Sequence, residues 1–259
     1  LNLSKNIYIL VLFALFGCKE TVPPFEPVEL DPKVVLHFSV VNNGEVIEIG
    51  DNFTDADNWN LTLKTLKFYL ADIALVSGSE ETALSEVELV DLSGSEATNF
   101  NRSYTYIIPK GEYNQLKMSI GLPGDLNATD PTTMPADDPL SLQGGMYWDW
   151  ATMFVFVMME AGIDTNFDAA MDANIAFHTG LDTLFRPEQS YPMTFDIPAY
   201  AKDTLFVDVD WNMIYHPMEG TPIDLSTTPF FHANVDEEAL AASRVFTDNF
   251  IKSIDIRKQ

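Results

Sequence analysis

Four histidines carry the most obvious chemistry in this chain: His37, His178, His216 and His232. Imidazole is the commonest metal ligand and titrates near neutral pH. His178 sits in IAFHTG, at the end of an apolar stretch before a glycine. His232 sits in PFFHAN, ahead of a helical segment, and His37 lies inside LHF. Histidines borne on strands can converge across a β-sandwich and hold one ion. Taken singly, each also reads as a half-buried ring satisfied by hydrogen bonds. No HExxH, GxSxG or P-loop is present. Ser, His and Asp are available, but nothing in their spacing groups them as a nucleophile and its base, so the chain is read as a non-enzyme.

Oxygen ligands are the second candidate. Asp164, Asn166 and Asp168 alternate, and Asp172 follows. This is calcium-loop spacing, without the glycine and terminal glutamate of an EF-hand. The same residues also read as a solvated acidic turn, as does Asp125–Asp130. The third candidate is Met146-Tyr147-Trp148-Asp149-Trp150, the densest aromatic cluster. It reads either as a core corner of the fold or as a ligand-stacking or redox-active tryptophan.

Charge excludes several partners. There are 39 Asp+Glu against 14 Lys+Arg, a formal charge of −25. Phosphate backbones are bound by clustered Lys and Arg, so nucleic acid is not expected as a partner. A polybasic membrane contact is excluded on the same ground. The single cysteine, Cys18, rules out an intramolecular disulfide and a CxxC zinc site.

Cys18 has a different context. One charge, Lys5, precedes the apolar run Ile7–Phe16, which is too short to span a bilayer but suits a signal-peptide core. The run ends in Leu15-Phe16-Gly17-Cys18, which resembles a bacterial lipobox. The other reading is a signal anchor with an incidental cysteine. Lipid on Cys18 would anchor the chain to the membrane. Lys19-Glu20 resembles the export signal of surface lipoproteins, and TVPPFEPVELDPK with its four prolines reads as an extended tether. The expected organisation is residues 1–17 as a lipoprotein signal peptide, 18–32 as tether and 33–259 as folded domain. The expected location is the outer membrane of a Gram-negative envelope, facing either side.

The elements that must position these residues are mostly strands. Val34–Val41 leads through Asn42-Asn43-Gly44 into Glu45–Ile49, a hairpin signal. Leu61–Val76, Glu86–Leu92, Ser103–Pro109, Tyr113–Leu122, Asn174–His178, Tyr191–Ile197 and Thr204–Tyr215 continue the pattern. Thr152–Met159 is apolar on both faces and belongs deep in a sheet. One helix is signalled near the end: Asn234 caps it, Asp236–Glu238 fill its first turn, and Ala239, Ala242, Val245, Phe246 and Phe250 follow at helical spacing. A loop from Pro123 to Gly145 interrupts the strands, and loops of that length are usually functional. The fold class is all-β: an antiparallel β-sandwich with one C-terminal helix and long loops.

Several of these segments, in this order, resemble the methanobactin-associated copper-binding protein family (MbnP-like domains). They are VVLHFSVVNNGEVIEI, LTLKTLKFYLADIALV and YNQLKMSIGLP, then Asn127, Asp130-Pro131 and Pro139-Leu140. Gly145–Trp150 is similar to the family's GMYWxW segment, and Phe177–Gly180 to its FHxG strand. Phe231-His232 with Asp248-Asn249-Phe250 is similar to its closing segment. The resemblance covers about residues 33–255. It implies a secreted or surface-exposed β-sandwich binding one copper through two histidines and a tryptophan oxidised to kynurenine. It also implies a di-haem cytochrome peroxidase-like partner that makes the modification. On this chain His178 is the leading ligand, with His232 and His37 behind it, and Trp148 and Trp150 are the aromatic candidates. No histidine lies near either tryptophan in sequence. A soft two-imidazole site with one weak third ligand suits Cu(I), so the expected function is a copper carrier or scavenger. Calcium at Asp164–Asp172 is a secondary cofactor expectation. Met158 and Met159 read as core. The alternative is a metal-free ligand-binding or adhesion β-sandwich.

Overall fold

The structure, a computed structural model, describes residues 31–93, 103–149, 153–227, 230–232 and 237–258. The leader, Cys18, the tether up to residue 30, Trp150 and the proposed cap Asn234 lie outside the described residues. Among those described, no helix is long and apolar enough to cross a membrane.

Asn43 and Gly44, both at positive φ, turn β1 (Lys33–Asn42) into β2 (Glu45–Ile47), as the Asn-Gly signal predicts. The short β3 (Asn52–Thr54) leads to β4 (Asn60–Ser77), the long spine of the larger sheet. β4 pairs with β3, β5 (Glu80–Asp91), β7 (Gly111–Ile120) and β9 (Met153–Asp164). It serves all of them by bending at Asp72, which has φ 51° beside a register shift, the usual signature of a bulge.

Beyond β9 come β10 (Ala173–Gly180) and β13 (Phe230–His232), and beyond β7 comes β11 (Arg186–Ile197). The facing sheet runs β14 (Ile254–Lys258), β12 (Lys202–Asp210), β1, β2, with β6 (Ser103–Ile107) also paired to β1. Pairing is antiparallel except at β1–β12 and β10–β13, which are parallel.

Alternation decides which residues face inward. Val34, Leu36, Phe38 and Val40 of β1 are buried against Leu61, Leu63, Val157, Ile175 and Phe177 of the larger sheet. The helix α3 (Glu237–Lys252) closes this core with Phe246 and Phe250, and Phe246 stacks on Phe177 at 5.0 Å. The last strand expected from sequence stops early. Residues Trp211–Tyr215 are a helix, α2, because the Asp210 carboxylate accepts from the Asn212 and Met213 N–H groups and so caps a helical turn.

A second apolar cluster lies on the outer face of the large sheet. Tyr69, Leu89, Phe156 and Met158 meet Leu122, Leu140 and Met146 there. The long loop supplies the cover. It holds the short α1 (Gly124–Asn127) and two single turns of tighter helix. Tyr69 Oη donates to Pro139 O at 3.0 Å and Lys67 Nζ to Gly144 O at 3.2 Å. Gly121 begins the crossing: its φ is +89°, and a Cβ there would lie 2.5 Å from the Phe156 ring. Gly121→Ala is therefore expected to lower stability by about 1–3 kcal/mol through overpacking and backbone strain, read as a fall in the urea midpoint.

Candidate metal centre

His178 lies on β10 with its neighbour Phe177 turned into the core, so its ring belongs to the outer face under the loop. It is only 6% exposed. A buried imidazole needs partners. Its Nε2 lies 2.9 Å from Glu160 Oε1, and Glu160 Oε2 accepts from Thr65 Oγ1 at 3.1 Å. Register explains the contact. Glu160 on β9 pairs with Ala176, one diagonal step from His178, within reach of a long side chain.

Trp148 is the other close neighbour. It sits on β8 (Tyr147–Trp148), which folds back on β9 with Trp148 opposite Met153. Val155 N donates to Met146 O at 2.7 Å and Tyr147 packs on Phe154 at 5.0 Å, fixing this corner. The indole then meets His178 edge-on, with ring centroids 4.9 Å apart and planes at 84°. The histidine–tryptophan proximity missing from the sequence is made by the fold.

Two more positions line up with His178. Met158 of β9 is directly opposite it in register and nearly buried. On the other side, β13 pairs His232 with His178 in parallel. A thioether, an imidazole position and a second imidazole position therefore occupy adjacent strands in one row.

His37 does not join them. It alternates with Val34, Leu36 and Phe38, which face the core, and so lies on the outside of the smaller sheet. There its Nδ1 meets Ser103 Oγ at 2.8 Å and its ring meets Phe206 at 5.4 Å. The whole sandwich separates it from His178, so the expectation of a shared ion is corrected for this residue. His216 caps α2, with Nε2 2.8 Å from Asp57 Oδ2 in an ion pair outside hydrogen-bond geometry.

The calcium-loop residues use their oxygens locally. Asp164 is buried and accepts from Ala169 N at 2.8 Å and Asn60 Nδ2 at 3.3 Å. Burial pushes its carboxyl up, but hydrogen bonds from Ala169, Asn60, Asp168 and Phe167 bring it below the usual carboxylate value. Asp172 takes the Thr165 N–H and hydroxyl, Asn166 takes Asp168 N, and Asp168 takes Ala170 N. In the Asp125–Asp130 loop, Asn127 Oδ1 accepts from Phe154 N at 3.2 Å while its Nδ2 reaches Asp182 at 2.8 Å. Among the described residues no three His, Cys, Asp or Glu side chains form a metal-holding group.

The family model for MbnP matches residues 31–236. The chain belongs to the MbnP family. Among solved structures, MbnP from Methylosinus trichosporium is similar in fold, with a TM-score of 0.55 at 15% identity, covering 87% of this chain and 98% of that one. No curated protein matches the chain. The MbnP match ends just beyond His232, so it takes in His178, Trp148 and β13 together.

Sequence reasoning missed three residues of this MbnP-family site: Glu160, Thr65 and Met158. Glu160 had a signal. It is the lone charge in MFVFVMMEAG, and a carboxylate in a buried strand has to be paired.

Proposed function

We propose that this chain is a copper-binding protein of the bacterial cell envelope, a carrier or scavenger rather than an enzyme. Copper, as Cu(I), is held at His178, with His232 as the second imidazole and Trp148 beside them. The observation that carries this reading is the approach of Trp148 to His178 at 4.9 Å. The donor chemistry fits: an imidazole beside a thioether, in a site poor in hard oxygen, suits a soft ion. Bound copper would supply the soft Lewis-acid centre, and the chain supplies a shielded imidazole and its orientation. Lipid on Cys18 would hold the domain at the outer membrane. A di-haem cytochrome peroxidase-like protein is the proposed partner, acting on Trp148.

Metal analysis after anaerobic Cu(I) loading, with competition by a Cu(I) chelator, tests the reading. One tightly held copper per chain is the expected result. Copper retained only after treatment with a di-haem peroxidase would keep the reading and make tryptophan oxidation a prerequisite. No stoichiometric copper in either condition would leave a metal-free sandwich, with the Trp148 surface as its ligand site.

A further inference from the structure

The Glu160–Thr65 pair beneath His178 has a role of its own, and it rests on the copper reading above. The contacts form a chain: Thr65 Oγ1 to Glu160 Oε2 at 3.1 Å, and Glu160 Oε1 to His178 Nε2 at 2.9 Å. The three residues lie on β4, β9 and β10, so three neighbouring strands fix their relative positions. A carboxylate accepts and does not donate, so the ring nitrogen facing it carries the proton. Only one nitrogen of a neutral imidazole is protonated, and a metal binds the other.

We infer that Glu160 is a positioning residue: it holds His178 as the Nε2–H tautomer and turns Nδ1 toward the metal, while Thr65 holds Glu160. This is the arrangement in which a carboxylate behind a histidine orients the ligand and raises its basicity. The site would therefore bind through Nδ1, and its affinity would depend on a residue that never touches the metal.

The test uses the full chain. In the metal-free protein, ¹⁵N histidine NMR reads the tautomer of His178 directly, with His178→Gln assigning the signal. The expected pattern is a protonated Nε2 in the native protein and a mixed or reversed tautomer in Glu160→Ala. Chelator-competed Cu(I) titration should then show affinity falling 10–100-fold in Glu160→Ala. Glu160→Gln keeps an acceptor for Nε2–H and should recover most of that loss; it also serves if the alanine variant fails to fold. A protonated Nδ1 in the native chain overturns the inference, as does copper affinity within twofold of native in both variants. If the native chain binds no copper at all, the copper reading fails and the metal role of Glu160 fails with it. The tautomer result would still report separately whether Glu160 orients the ring.

Discussion

Replacing His178 by alanine is expected to abolish stoichiometric Cu(I) binding, with the dissociation constant rising at least 100-fold, equivalent to about 2.8 kcal/mol. The size of the effect follows from where the ring sits. Met158 and His232 flank it on adjacent strands, and Trp148 closes over it. Removing the central donor leaves positions that do not neighbour one another. Exposed replacements would be rescued by water or another side chain, but His178 is 6% exposed and covered. Anaerobic titration against a Cu(I) chelator checks the loss, and far-UV circular dichroism checks that the sheet is intact. His37→Ala makes the contrast, because His37 lies on the opposite outside face; its copper affinity should stay within about twofold of native.

Phe177→Ala, one residue away, is expected to act on stability, costing about 3–5 kcal/mol. Phe177 is fully buried, stacked on Phe246 at 5.0 Å and 5.9 Å from Tyr215. Its loss empties the seam where β10, α2 and α3 meet, and two large neighbouring rings cannot both collapse into the gap. For a domain of this size the melting temperature should fall by roughly 10 °C. Met218→Ala is the control. Its side chain is 89% exposed, and the change should lie within about 0.5 kcal/mol of native. A Phe177 variant as stable as that control would mean the seam is not a packed core.

These two neighbours also mark what can be read from sequence. The alternation in LHF and IAFHTG is enough to place Phe38 and Phe177 inward and the histidines outward on their strands. It says nothing about which sheet each strand joins, so His37 and His178 look equivalent in sequence and lie on opposite outer faces in the fold. The Asn42-Asn43-Gly44 hairpin was legible because its turn chemistry is local. Asp210 was misread because the alternation Leu205, Val207, Val209 continues through Trp211, and a capping carboxylate competes with it only once the next residues turn. The Trp148–His178 contact depends on a hairpin folding back over a sheet, and no local pattern encodes that. Glu160 was available as an isolated charge in an apolar strand, but its partner could be named only from register.

The parallel pairing of β1 with β12 sets an order on synthesis. Lys33 sits beside Lys202 and Val41 beside Asp210, so the first strand of the domain borders one made near the end. Ribosomes add about 5–20 residues per second, which leaves β1 without that neighbour for roughly 10–30 s. Throughout that interval an apolar strand, VVLHFSVV, shows part of its hydrogen-bonding edge, and such edges recruit other chains. β14, which pairs with β12, comes later still. The smaller sheet is thus assembled last, from both ends of the chain at once. A nascent chain halted before β12 would display a sticky first strand and a larger sheet with no lid over its inner face, which makes it a natural client for a holding chaperone.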